Sequence, residues 1–101
     1  MNEIKVMYES LMKVVNTYKN LKLGPNNREV YYEMVEKYRG IIENKIVEIK
    51  NYISKEISNI YKSPHKVGLV FNKFEEDIVQ GRFYIWIDKG YTIDHKFIYI
   101  K

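Results

Sequence analysis

The stretch of sequence that decides the fold is Arg82-Phe83-Tyr84-Ile85-Trp86-Ile87-Asp88, which reads as one β-strand with two apolar faces. Side chains alternate across a strand, so Phe83, Ile85 and Ile87 lie on one face, and Tyr84 and Trp86 lie on the other. One layer of helices covers only one of these faces. The aromatic face therefore needs a second subunit, a foreign partner, a nucleic acid or a folded-back segment of the chain as its cover.

The region after Pro64 has the hydrophobic period of a β-sheet. Apolar residues recur with a period of two from Val67 to Asn72, which predicts a first strand. The acidic run Glu75-Glu76-Asp77 and the pair Gln80-Gly81 predict a connecting loop that leads into the central strand.

A hairpin joins the central strand to a third strand. Lys89-Gly90 predicts its turn, because glycine accepts positive φ. The third strand is expected from Tyr91 to Lys101, with a break near Asp94-His95. The register of the hairpin decides which later aromatic residue joins the aromatic face: Tyr91, Phe97 or Tyr99. Connections this short predict a three-stranded antiparallel β-meander.

The first part of the chain predicts an antiparallel pair of helices. Apolar residues recur at steps of three and four along the short first helix: Ile4, Met7, Leu11, Val14, Tyr18 and Leu21. Leu23-Gly24-Pro25 predicts its end, since glycine suits a left-handed C-terminal cap and proline cannot continue the helix. Asn26 lies three residues before Glu29, which predicts the capping box of the second helix.

The second helix is predicted from Asn27 to Tyr61, and it outruns the first by about 20 Å. Its apolar stripe keeps one phase throughout: Val35, Tyr38, Ile42, Ile46, Ile49, Ile53, Ile57 and Ile60. Because the stripe stays in phase across Gly40, the helix should be continuous there, with a bend or a close helix crossing. The overhang must pack on the sheet or on another chain, and the second alternative predicts Ile49, Ile53 and Ile57 in an interface between chains.

These patterns predict the α+β class: an antiparallel helix pair, short then long, followed by a three-stranded antiparallel meander. We expect one domain over residues 1–101, with a helical part at 1–63 and a sheet part at 64–101. An apolar fraction of 46% and a charged fraction of 30% are typical of a globular chain. No cysteine is present, which excludes disulfides and zinc–thiolate sites.

The expected location is the cytoplasm of the cell or of an infected host, without a membrane contact. Residues 1–5 begin a charged helix rather than a signal peptide, and no apolar run approaches about 18 residues. The chain lacks alanine and is rich in Ile, Lys, Asn and Tyr, whose codons are AT-rich. This usage points to an AT-rich genome as the source of the gene: a mobile element, a virus, or a low-GC or hyperthermophilic microbe.

Little in the sequence points to catalysis. His65 and His95 lack the spacing of metal ligands, and the acidic run at 75–77 lacks that of a calcium loop. Asp88 and Asp94 flank the last hairpin and could form a carboxylate pair, although aspartate is also common in turns. We therefore expect no catalytic residue, no metal and no cofactor, and we do not expect an enzyme.

The aromatic residues point to binding instead. Tyrosine and tryptophan are enriched at protein interfaces, and aromatic rings on a sheet also stack single-stranded bases. The net charge of +4 is dispersed along the chain and arginine is scarce, which favours a protein partner over a nucleic acid. The predicted interface residues are Tyr84, Trp86, Tyr99, Ile49, Ile53 and Ile57.

The predicted function is that of a small non-catalytic protein-binding protein. We expect a homodimer, closed by the long helix or by the face that carries Tyr84 and Trp86, with an unidentified protein partner. An accessory protein of a virus or mobile element, for example an inhibitor of a defence system, fits this description. The alternative is a single-stranded nucleic-acid-binding protein that uses the aromatic residues of the sheet.

Overall fold

A computed structural model describes residues 2–21 and 28–100 and confirms the predicted α+β fold. Two helices come first and a three-stranded antiparallel sheet follows. The elements in chain order are α1 (Asn2–Lys19), α2 (Arg28–Ile60), β1 (Lys66–Leu69), α3 (Phe74–Val79), β2 (Arg82–Asp88) and β3 (Ile93–Tyr99). The predicted helix stop at Gly24-Pro25 and the cap at Asn26 lie outside the described residues.

Helix α1 packs antiparallel along α2. Ser10 accepts a hydrogen bond from Lys45 Nζ at 2.9 Å, while Met7 lies beside Ile49 in the same cleft, so residue numbers rise along one helix as they fall along the other. The buried side chains of α1 are Ile4, Tyr8, Leu11 and Val15. This set is centred slightly to one side of the predicted stripe, because α1 contacts both α2 and α3.

Helix α2 is continuous through Gly40, as predicted. A Cβ atom added at Gly40 would meet no other atom within 4 Å, so the glycine does not mark a close helix crossing. The predicted isoleucine stripe is buried from Ile46 to Ile57, where the sheet and α3 join α1 in covering it. Its earlier members Val35, Tyr38 and Ile42 stay half-buried, as does Ile60 at the end of the helix.

A short helix, α3, stands where the sequence predicted a loop, so that prediction is wrong. Phe74 and Ile78 lie one helical turn apart and both enter the core, which stabilises the helix on the sheet. The chain turns out of α3 through Gly81, whose φ of 81° is readily adopted only by glycine.

The sheet has the order β1-β2-β3, with both neighbouring pairs antiparallel. The first strand ends at Leu69 rather than at Asn72, and the third begins at Ile93 rather than at Tyr91. Strand β3 runs unbroken through Asp94 and His95, so the predicted break is wrong. The turn at residues 89–92 is closed by a hydrogen bond from the Lys89 amide to the Thr92 carbonyl, and Gly90 takes a φ of 90°.

The core lies between the helices and the inner face of the sheet. The inward residues of β2 are buried together with Leu69 of β1 against α2, α3 and α1. The helix pair extends beyond the sheet, which gives the molecule principal extents of 61 × 24 × 19 Å.

Candidate interaction surface

The register of the sheet brings the outward side chains of β2 and β3 together. Arg82 pairs with Tyr99, Tyr84 with Phe97, and Trp86 with His95. Directly paired residues of antiparallel strands point to the same face, so these six side chains share the side opposite the helices. We call this set the aromatic face: Arg82, Tyr84, Trp86, His95, Phe97 and Tyr99.

The rings of the aromatic face contact one another across the two strands. The ring centroids of Tyr84 and Phe97 are 4.4 Å apart, and those of Tyr84 and His95 are 5.4 Å apart with the planes nearly parallel at 20°. Phe97 continues the series to Tyr99 at 6.3 Å. Such contacts fix the ring orientations and contribute about 0.5–1.5 kcal/mol per pair beyond burial.

Trp86 lies flat on strand β1, above Gly68. A Cβ atom at Gly68 would overlap Cζ2 and Cε2 of the indole, so only glycine leaves room for this packing. Gly68 and Trp86 are also paired in the register of β1 and β2. The indole is therefore half-buried without help from any helix, and its position is fixed by the sheet alone.

Arg82 supplies the positive charge nearest the rings. Its guanidinium carbon lies 4.5 Å from the centre of the Phe97 ring, in the geometry of a cation–π contact. Its Nε also pairs with the largely buried carboxylate of Asp77 in α3 at 3.4 Å. Because Arg82 contacts both Phe97 and Asp77, it stabilises the end of the aromatic face and offers little unpaired charge to an incoming phosphate.

No helix of the described chain covers the aromatic face. Helices α1 and α2 pack on the opposite side of the sheet, in one core with the inward residues of β2, and α3 reaches the aromatic face only at its end, where Asp77 pairs with Arg82. Tyr99 accordingly remains 60% exposed. The predicted alternative of a folded-back segment therefore finds no support within residues 2–21 and 28–100.

The structure divides the six predicted interface residues into two groups. Tyr84, Trp86 and Tyr99 lie together on the aromatic face. Three others are buried in the core of their own chain: Ile49, Ile53 and Ile57, with exposed fractions of 1%, 0% and 6%. This corrects the prediction that these isoleucines face another chain, because α1, α3 and the sheet of their own chain cover them.

Sequence reasoning missed His95 and Gly68 as parts of this surface, and it left Phe97 undecided. The signal that could have found His95 and Phe97 is the length of the hairpin. With residues 89–92 between the paired residues Asp88 and Ile93, the odd-numbered residues of β3 face the same way as the even-numbered residues of β2.

The candidate carboxylate pair is excluded by the same register. Asp88 is paired with Ile93 on the outer side of the sheet, whereas Asp94 is paired with Ile87 on the inner side. Asp94 instead accepts a hydrogen bond from Lys89 Nζ at 2.8 Å. This hydrogen bond, with the attraction between the two charges, raises the pKa of Lys89 above its ordinary value.

Two further features bear on what this surface can do. In residues 2–21 and 28–100, no group of three or more His, Asp or Glu side chains is placed to hold a metal ion. No helix in this same part of the chain has the length and apolar character needed to cross a membrane.

The chain matches no protein-family model, no curated protein and no solved structure at a significant level.

Proposed function

We propose that this is a non-catalytic binding protein whose aromatic face docks on a protein partner. The observation that carries the proposal is a set of mutually packed rings, half-buried at Tyr84 and Phe97, on a sheet face that no element of the described chain covers. Rings fixed in this way bury a large area with little further loss of side-chain entropy, as the anchors of protein interfaces do.

The charges on the aromatic face favour a protein partner over a nucleic acid. Arg82 is the single arginine there, and it is engaged by Phe97 and Asp77. Lys66 on the neighbouring outer position of β1 is offset by Asp88, its partner in the register. Nucleic-acid binding draws most of its affinity from several unpaired cations along the path of the backbone.

We also propose that the protein associates with itself and that it is an accessory protein. A homodimer would cover part of the sheet that the chain leaves bare. The residue usage supports a role for the protein in a virus or mobile element, acting in the cytoplasm on a partner macromolecule such as a component of a defence system.

The test of partner binding compares two aromatic positions. We expect the protein to capture a defined partner from cells of its source, and the purified pair to bind at least tenfold more weakly when the bait carries Trp86→Ala. The matched control is Phe71→Ala, since Phe71 is 62% exposed but lies outside the aromatic face. Equal affinities of the wild type and Trp86→Ala for the purified partner would contradict the proposal.

A single-stranded nucleic-acid-binding protein is the second candidate, because the stacked rings of Tyr84, His95 and Phe97 resemble a base-stacking platform. Trp86 is the one tryptophan of the chain, so its fluorescence reports directly on the face. We expect mixed-sequence DNA and RNA oligonucleotides to leave this fluorescence unchanged at physiological salt. Strong quenching that weakens steeply between about 50 and 200 mM salt would favour the second candidate.

A further inference from the structure

Strand β3 is an uncovered edge of the sheet. It spans Ile93–Tyr99 and pairs with β2 on one side, while no strand of the described chain pairs with its other side. Its inward side chains still contact the rest of the molecule, since Ile98 packs against the core and Lys96 lies over the Tyr61 ring. An edge strand of this length presents a row of backbone donors and acceptors that can pair with another strand.

The backbone hydrogen bonds at the two ends of the hairpin show which groups point outwards. Lys89 donates to the Thr92 carbonyl, and Ile100 donates to the Gly81 carbonyl. Hydrogen-bonded pairs alternate along an antiparallel ladder, so the even-numbered residues of β3 bond to β2. The residues whose amide and carbonyl groups point away from β2 are Ile93, His95, Phe97 and Tyr99.

The sequence of this edge is complementary to itself about His95. In antiparallel pairing around a two-fold axis at His95, Asp94 of one copy lies opposite Lys96 of the other, and this ion pair occurs twice. Ile93 likewise lies opposite Phe97. An axis at Lys96 would place two lysines opposite each other, and an axis at Phe97 would place Lys96 opposite Ile98, so charge selects the register at His95.

Helix α2 packs closely on β1 and α3 packs closely on β2, whereas neither approaches the backbone of β3, so the helices leave room for a second copy beside that strand. Lys96 Nζ lies 5.4 Å from the centre of the Tyr61 ring, a cation–π contact that is weak at an exposed site and that Lys96 can exchange for an ion pair. Lys96 is exposed and Asp94 is half-exposed. Lys89 binds one oxygen of the Asp94 carboxylate, and the second oxygen can accept from Lys96 of the other copy.

We propose that two copies of this chain pair antiparallel through their β3 edges, with the two-fold axis at His95. The product is a continuous six-stranded sheet that carries both aromatic faces on one side and both helical layers on the other. This inference deepens the self-association in the proposed function, and it leaves the aromatic face open to the protein partner. The competing reading is that Asp94 and Lys96 are edge charges that prevent strand pairing.

Charge reversal separates these two readings. Sedimentation equilibrium at tens of micromolar should show a dimer for the wild type and a monomer for Asp94→Lys and for Lys96→Asp, because each substitution places like charges opposite each other. An equimolar mixture of the two variants should form a heterodimer, since one then carries only positive and the other only negative charges at these positions. Glu43→Lys, an exposed change on α2, is the control for net charge and should remain a dimer.

Crosslinking tests the register without relying on those charges. The chain has no cysteine, so His95→Cys introduces a single thiol at the proposed axis. Cα atoms of a hydrogen-bonded antiparallel pair are about 5.5 Å apart, which suits a disulfide. His95→Cys should give a covalent dimer on mild oxidation, whereas Tyr99→Cys should not, because the two copies of residue 99 would be about 25 Å apart.

A monomeric wild type, a mixture of charge variants that stays monomeric, or crosslinking of Tyr99→Cys as fast as His95→Cys would each overturn the inference. Circular dichroism and Trp86 fluorescence establish that the variants are folded. The outcome is separable from the proposed function, because Trp86→Ala should lose the protein partner while it remains a dimer. The charge variants should lose the dimer and keep their rings in place.

Discussion

The two faces of strand β2 are both apolar, yet they differ in what packs on them. The inward residues Phe83, Ile85 and Ile87 are buried beneath the helices. The outward residues Tyr84 and Trp86 reach half-burial only through their neighbours in the sheet, Phe97 and Gly68. The difference shows that the inner face of this strand stabilises the fold, whereas its outer face is the one for which we propose a binding role.

Among substitutions on the two faces of β2, we expect Phe83→Ala to lower the free energy of unfolding the most. Phe83 is 0% exposed, so its truncation removes apolar burial and leaves a cavity, at a cost of about 3–5 kcal/mol in the free energy of unfolding. Tyr99→Ala, on the outer face, should change it by about 1 kcal/mol or less. Urea denaturation followed by circular dichroism measures both, and equal losses would show that the outer face also stabilises the fold.

A smaller loss of stability is expected from Gly68→Ala, which tests how Trp86 packs on the outer face. The new methyl group would overlap the indole of Trp86 and displace it, which should destabilise the protein by about 1–3 kcal/mol and shift the tryptophan emission to longer wavelength. In a Trp86→Ala background the same change should cost almost nothing. A double-mutant cycle without coupling between the two sites would contradict the packing of Trp86 on Gly68.

The smallest expected effect is that of Tyr84→Phe, which is compared with the gain of the same hydroxyl group at the adjacent position 83. Phe83→Tyr places a hydroxyl in the core and should cost about 1–3 kcal/mol, because a buried polar group without a partner is unfavourable. Tyr84→Phe removes a hydroxyl from the outer face and should stay within about 0.5 kcal/mol of the wild type. Thermal unfolding of the two variants tests this contrast, which fails if both behave alike.

Periodicity was sufficient to predict the two long helices and the three strands of this chain. The isoleucine stripe predicted α2 and its continuity through Gly40, and the change of period after Pro64 predicted the sheet. The short helix α3 could not be predicted in this way, because its six residues make fewer than two turns and are too few to show a helical period. Its stability comes from the burial of Phe74 and Ile78 on the sheet.

Only part of the candidate surface could be predicted from the sequence. Alternation along β2 placed Tyr84 and Trp86 together, but their neighbours on β3 depend on a register set by the turn at 89–92. The isoleucines of α2 show a second limit of prediction from sequence. Their pattern predicted that they would be covered, but a pattern cannot tell whether the cover is another chain or, as for Ile53, the chain's own sheet.

The extension of the helix pair beyond the sheet has a hydrodynamic consequence. The radius of gyration is 16.9 Å, against about 13 Å for a compact domain of 100 residues. A radius of this size belongs to a compact globule of about 200 residues, which is twice the length of this chain. A single copy will therefore diffuse and elute from a sizing column much as a compact dimer would, and only a shape-independent mass will distinguish one copy from two.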